Sequence, residues 1–173
     1  MQLTNYSIVL EQLTSATIEL VRQWRNSPSV SKYMEYKTII SEEQQRIWFD
    51  QIDPTKEFYF IIKKDNVPFG MIHLNHINWE LNCGEVGLFI GEPEFLGTGS
   101  TFAASLALLD FAFEKIQLNE VRAKINTNNT EAIRYNTFLG FIPTDTTTTD
   151  FTLWKLTKEA YTRSKEKIIR LLP

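Results

Sequence analysis

GEPEFLGTGSTFAASLALLDFAFEKIQLNEVRAKINTNNTEAIRYNTFLGF, residues 91–141, decides the fold. It follows an apolar run, Cys83–Ile90, that reads as a strand. Leu96-Gly97-Thr98-Gly99-Ser100-Thr101 then breaks the pattern. A helix apolar nearly all round is expected from about Gly99 to Lys115, with Phe102, Ala103, Leu106, Leu109 and Phe113 on one broad face. A glycine turn leading straight into a helix aims free main-chain N–H groups and the positive end of the helix at one point, which suits a phosphate. A Walker loop would need lysine after the last glycine, and Ser100-Thr101 follow instead. A dinucleotide fingerprint counted from Gly97 would need a small residue where Phe102 stands. The turn by itself is open between a phosphate cradle and a plain strand-to-helix connection.

Outward from this stretch, Val121, Ala123 and Ile125 alternate with Arg122 and Lys124 as in a half-buried strand. Asn128 with Glu131 reads as a capping box for a short helix to Leu139, with Gly140 just past its end. Upstream, Tyr6–Leu10 reads as a strand. Thr14 or Ser15 is expected to cap a helix carrying Ile18, Val21 and Trp24, which Ser27-Pro28 ends. Ser41 and Gln44 form a capping box for a helix with Ile47 and Trp48. Phe58–Lys63 and Pro68–Ile77 flank the turn Asp65-Asn66 as a hairpin. Phe151–Leu156 is the last strand, Thr146–Thr149 a hairpin tip or loop, and Lys158–Leu172 a terminal helix. No repeat or linker divides the chain. The expectation is one domain over residues 1–173, of α/β (α+β) class, with a mixed central sheet flanked by helices on both faces.

A chain of 173 residues with 43% hydrophobic residues can bury a real core. The net charge of −3 and the lack of a dense Lys/Arg cluster argue against nucleic acid. The one cysteine, Cys83, excludes an internal disulfide framework and suits a reducing compartment. There is no signal-peptide pattern at the N-terminus and no apolar run of membrane-spanning length, so a cytoplasmic address is expected. His73 and His76, three apart on a strand, are expected on opposite faces and make a poor metal pair, so no metal is expected.

Two motifs at a fixed distance carry more than the turn alone. Glu94-x-x-Gly97-x-Gly99 resembles the pyrophosphate loop of the Gcn5-related N-acetyltransferase superfamily, Gln/Arg-x-x-Gly-x-Gly/Ala, except that Glu94 is acidic and is expected to turn outward. Asn129-x-x-Ala132 with Gly140-Phe141 eleven residues after the Asn matches the motif that follows it. Leu20 to Asn26, Val30, Met34, Ile40-Ser41-x-Glu43 and Trp48-Phe49 resemble the ribosomal-protein acetyltransferase branch, and still more its relatives that acetylate nucleotide-linked amino sugars.

The resemblance implies acetyl-CoA as cofactor. The strand Glu85–Ile90 would run beside the pantetheine, and its main-chain N–H groups at Gly87, Leu88 and Phe89 would polarise the thioester carbonyl. Leu96, Gly97, Thr98, Gly99, Ser100 and Thr101 would hold the pyrophosphate, and Asn129 would touch the cofactor, cap its helix, or do both. The family's tyrosine acid falls at Asn136, a hydrogen-bond donor that gives no proton. The neighbouring Tyr135 points roughly 100° away on a helix and is no simple replacement. Glu85 on the cofactor strand is the candidate base, or else a salt-bridge partner. Trp24, Arg25, Asn26, Met34 and His73 are the acceptor-site candidates. Arg25 reads equally as an anion binder and as an internal ion pair, Trp24 better as core, and His73 better as a structural histidine than a base. Cys83 reads as a core thiol, so direct transfer is favoured. The acceptor would be an amino sugar, a protein N-terminus or another small amine, the protein a monomer or homodimer, with no nucleic-acid or membrane partner. A non-catalytic acyl-CoA-binding module and a structural protein on the same fold are the rival classes.

Overall fold

A computed structural model describing residues 1–172 joins eight strands into one sheet of order β1-β2-β3-β4-β5-β6-β8-β7. The strands are β1 (Gln2–Asn5), β2 (Ile8–Gln12), β3 (Phe58–Lys64), β4 (Val67–Asn78), β5 (Cys83–Ile90), β6 (Glu120–Asn126), β7 (Ile142–Thr147) and β8 (Phe151–Thr157). All neighbours pair antiparallel except β5 and β6, so the sheet is mixed as expected. The helices are α1 (Ile18–Asn26), α2 (Pro28–Ser31), α3 (Glu42–Asp50), α4 (Gly99–Asp110), α5 (Thr130–Leu139) and α6 (Lys158–Ile169).

The period-2 pattern assigns one set of side chains to each face. Leu10, Phe60, Ile62, Ile72, Leu74, Ile90, Val121 and Ile125 pack with α4, α5 and α6 in the larger core cluster. Tyr59, Ile61, Met71 and Phe89 face the other way, under Val21 and Trp24 of α1, Val30 of α2, and Trp48 and Phe49 of α3. Helix α4 is covered nearly all round, which accounts for its lack of a polar face.

Several boundaries differ from the sequence expectation. Tyr6 and Ser7 are not strand but a turn with φ of 53° and 59°, which folds β1 back on β2. The N-cap of α1 is Thr17, whose hydroxyl accepts from the Thr14 N–H at 3.0 Å, so neither Thr14 nor Ser15 caps the helix. The cap of α5 is Asn129 rather than Asn128. The 99–115 helix widens at its end into a π-turn over Phe111–Lys115, where the Leu118 N–H reaches back to the Ala112 carbonyl at 2.9 Å. Ile142–Thr147 forms an edge strand paired with β8, so the hairpin tip expected at Thr146–Thr149 begins only after Thr147. The Ser41–Gln44 capping box, the Asp65-Asn66 turn and left-handed Gly140 (φ 100°) form as expected.

Asp110 ties three elements together. Its carboxylate accepts from Tyr6 OH at 2.7 Å, Tyr161 OH at 2.6 Å and Lys165 Nζ at 2.5 Å. Burial is the largest effect raising the Tyr6 and Tyr161 pKa values, and the Asp110 charge adds to it. Asp110→Ala strands the Tyr6 hydroxyl, leaves the Tyr161 hydroxyl only the Leu106 carbonyl and leaves Lys165 only Glu114, so urea unfolding is expected to show a loss of about 2–4 kcal/mol. A loss below about 1 kcal/mol would show the hub to be incidental.

Candidate active site

Strand β5 pairs with β6 only from Cys83 to Glu85, against Glu120 to Arg122, and the two then part. Beyond that point β6 stays bonded to β8, and β5 to β4, so a wedge opens between them. The Gly91 N–H donates to Phe69 on the β4 side at 2.8 Å. By the two-residue alternation of a strand, Glu85, Gly87 and Phe89 turn their main-chain groups the same way, while Val86 turns its own to β6, and Leu88 and Ile90 turn theirs into the wedge. Of the three strand residues assigned to the cofactor, Leu88 therefore supplies the inward-facing N–H. Val86 and Ile90 lie inside the expected cofactor strand Glu85–Ile90 but outside the Gly87–Phe89 groups chosen for the thioester, because their direction depends on pairing and not on residue type.

The glycine loop sits at the wide end of the wedge. Phe95 anchors it: the ring stacks on Phe69 at 4.2 Å, and its carbonyl accepts from the Thr98 and Thr101 hydroxyls at 2.8 and 3.2 Å. The N–H groups of Leu96, Thr98 and Thr101 are bonded to Pro93, Phe95 and Thr98 carbonyls. Those of Gly97, Gly99 and Ser100 have no protein acceptor, and no side chain caps α4. Gly97 has φ of 70°, and a Cβ built there meets nothing within 4 Å. An unsatisfied helix start beside open space fits a diphosphate, and the extended edge of β5 fits an amide-bearing arm. Glu94 is exposed, as expected. Asn129 Oδ1 accepts from the Ala132 N–H at 3.0 Å and leaves its amide N–H groups for a ligand.

The tyrosine and asparagine of α5 are less available. Tyr135 OH bonds Ser105 at 2.7 Å and donates to the Thr101 carbonyl at 3.0 Å, and burial pushes its pKa up, so it braces the first turn of α4. Asn136 donates one amide N–H to its own helix, at the Ala132 carbonyl, 2.8 Å away.

On the α1/α3 face, Glu85, Gly87, His73 and Asn75 lie side by side, paired as His73 with Gly87 and Asn75 with Glu85. Gly87 is required there: an added Cβ would lie 2.6 Å from the His73 ring. Tyr59 is tilted against His73 at 5.4 Å and its hydroxyl accepts from Asn75 Nδ2 at 3.0 Å. His73 Nδ1 and Asn75 Oδ1 are buried without a partner. Burial pushes His73 down to about 4, with the His76 and Arg25 charges adding to the effect. Arg25 is half-buried, and among the described residues it has no ion-pair or hydrogen-bond partner; loss of hydration lowers its pKa. The internal salt bridge considered for it is therefore not made.

The other acceptor candidates serve as supports. Trp24 is core: it donates to Glu92 at 2.9 Å, meets Phe89 edge-on, and lies where a Cβ on Gly91 would stand 2.3 Å from its ring. Asn26 exchanges two 2.9 Å bonds with the main chain of Ile40 and fixes the loop between α2 and α3, on which Met34 packs against the smaller cluster. The expectation that His73 and His76 face opposite ways is wrong. A bulge between Asn75 and Asn78 brings His76 Nδ1 to 3.4 Å from Glu85, on the face of His73. Tyr59 and Asn75 were also missed; only their register with His73 and Glu85 marks them. Cys83 is buried. Among the described residues no group of three or more His, Cys, Asp or Glu could hold a metal, and no helix is long and apolar enough to cross a membrane.

The sequence and the fold have counterparts in known proteins. A family model described as acetyltransferase (GNAT) domain matches residues 7–142, and the chain belongs to that family. It is 28% identical to the acetyltransferase PseH of Campylobacter jejuni, over 71% of this chain and 75% of that protein. It is 27% identical to an uncharacterised N-acetyltransferase, p20, of Bacillus licheniformis, over 78% and 82% of the two chains. The spermidine N-acetyltransferase of Vibrio cholerae, solved with CoA and spermine, shares the fold at TM-score 0.79 and 18% identity, covering 91% of this chain and 99% of that one.

Gly99→Pro removes one free N–H at the first helical position, where proline is otherwise accommodated. The melting temperature should stay within about 3 °C while CoA binds at least about tenfold more weakly by calorimetry. Undiminished affinity would remove the loop from the site. His73 gives a pH signature. Its proton is disfavoured in the folded state, so stability present above pH 6.5 is lost as pH falls toward about 4. His73→Gln should lose less stability than the wild type over that window, by on the order of 1–3 kcal/mol in urea titrations. Parallel pH curves would contradict the burial argument.

Proposed function

We propose that this chain transfers acetyl from acetyl-CoA directly to the primary amine of an anionic acceptor, a nucleotide-linked amino sugar. Such a transfer needs a held thioester, a neutral amine and somewhere for its proton to go. The N–H groups of Gly97, Gly99 and Ser100 take the diphosphate. Leu88 and Ile90 pair with the pantetheine arm, and the Leu88 N–H polarises the thioester carbonyl. Glu85 stands at the last paired position before the wedge, and the amine proton leaves on its side of the pocket. Asn136 retains one amide N–H for the departing sulfur. Buried Cys83 has no base beside it, which supports direct transfer over an acyl-enzyme.

The observation that carries the acceptor reading is Arg25. A half-buried guanidinium without a carboxylate costs solvation energy that an anionic ligand would recover. It also repels a polycation, which separates this pocket from one built for a polyamine. PseH, one of the relatives, and the α1–α3 sequence resemblance point the same way.

The test is thiol release from acetyl-CoA with a nucleotide-linked amino sugar, the same sugar free, a peptide N-terminus and spermidine. The nucleotide-linked amine is expected to turn over best. Arg25→Ala should raise its KM by about 10–100-fold with little change in kcat and no effect on the free sugar. Preference for spermidine, or equal use of free and linked sugar, would sink the acceptor assignment.

A further inference from the structure

Among the described residues, His76 is the only non-glycine residue inside a strand with a positive φ, 48°. The other positive-φ residues of this kind lie in turns or loops between elements. The left-handed region suits glycine and, among the other residues, asparagine, aspartate and histidine. The bulge returns His76 to the face of Glu85, placing Nδ1 3.4 Å from Oε2. Glu85 is free for this contact. Arg122, which registers with it on β6, is held by Glu120 at 2.8 Å. His73, the other imidazole of this face, is kept neutral by burial, while the His76 side chain is 65% exposed.

We propose that His76 and Glu85 form a catalytic dyad, with His76 Nε2 as the base and Glu85 as the residue that positions it. This deepens the acetyl-transfer reading and rests on it. Glu85 accepts the Nδ1–H of the ring, which selects the tautomer whose Nε2 lone pair is free. As the amine nitrogen bonds to the thioester carbonyl carbon, its proton passes to Nε2, and the C–S bond breaks with its electron pair on sulfur. The imidazolium is balanced by the Glu85 carboxylate. Its proton then goes to the thiolate or to solvent, which returns the ring to its starting form. Strain at a bulge beside a reacting centre is a recurrent arrangement, and contacts of this kind tighten when substrate binds.

Two effects separate this from a structural role. His76→Asn keeps a residue that the left-handed backbone accepts, so its melting temperature should stay within about 3 °C of the wild type's. CoA affinity should be unchanged, and kcat should fall about 100-fold with the best acceptor. Glu85→Ala should lower kcat similarly, and the double variant should be no slower than the slower single one within about threefold. Independently of any acceptor, imidazole nitrogen NMR at neutral pH should show His76 protonated at Nδ1 in the wild type and shifted toward the Nε2–H tautomer in Glu85→Ala. A His76→Asn variant within about threefold of wild-type kcat, or a tautomer indifferent to Glu85, overturns the dyad. A wild-type protein that binds CoA but acetylates no amine overturns the transfer reading itself, and the dyad with it.

Discussion

The separation of β5 from β6 after Glu85 is the constraint from which the site follows. A strand inside a sheet normally spends every main-chain group on its neighbours. Here Val86 spends its N–H on the last rung to β6, and beyond it Leu88 and Ile90 keep one edge unpaired in the middle of an eight-stranded sheet. Unsatisfied amides in a partly enclosed position are unfavourable, and a ligand with its own amides can complete them. The sheet tolerates the gap because each half is held from its far side: β5 by the long β4, β6 by β8. Helix α4 lies on one face of the sheet, and its own first N–H groups open at the end of the wedge.

The opposite face changes character along its length. It is apolar where α1 and α3 cover Ile61, Met71 and Phe89, and polar where Tyr59, His73, Asn75 and Glu85 come together. Buried atoms without partners, His73 Nδ1 and Asn75 Oδ1, lie in this second patch, near an unpaired Arg25. Such groups are uncommon in a folded interior; Gln45 Nε2 on α3 is the third among the described residues, and the pair beside Glu85 supports the acceptor proposal. Asn26 and Trp24 reinforce its rim by tying α1 to Ile40 and to Glu92.

Most of the framework could be read from residue pattern. The strand Cys83–Ile90 and the start of α4 at Gly99 were placed correctly because apolar periodicity and glycine chemistry are local. The capping box at Ser41 and the left-handed Gly140 are local for the same reason. Short edge strands were not readable: β1 is mostly polar and exposed, and β7 is rich in threonine. Which main-chain groups of β5 face the wedge depends on its partners, and no residue type encodes that. The bulge at His76 was invisible for a related reason. Period-2 counting assumes an unbroken ladder, and one left-handed residue reverses every assignment beyond it.

Amide hydrogen exchange with and without CoA tests the central claim most directly. The account predicts that bound CoA slows exchange at Leu88 and Ile90 on β5, and at Gly97, Gly99 and Ser100 at the start of α4. Residues Gly87 and Phe89, bonded to β4, and Val86, bonded to β6, should change less. Binding of CoA with no added protection at those five amides would contradict it.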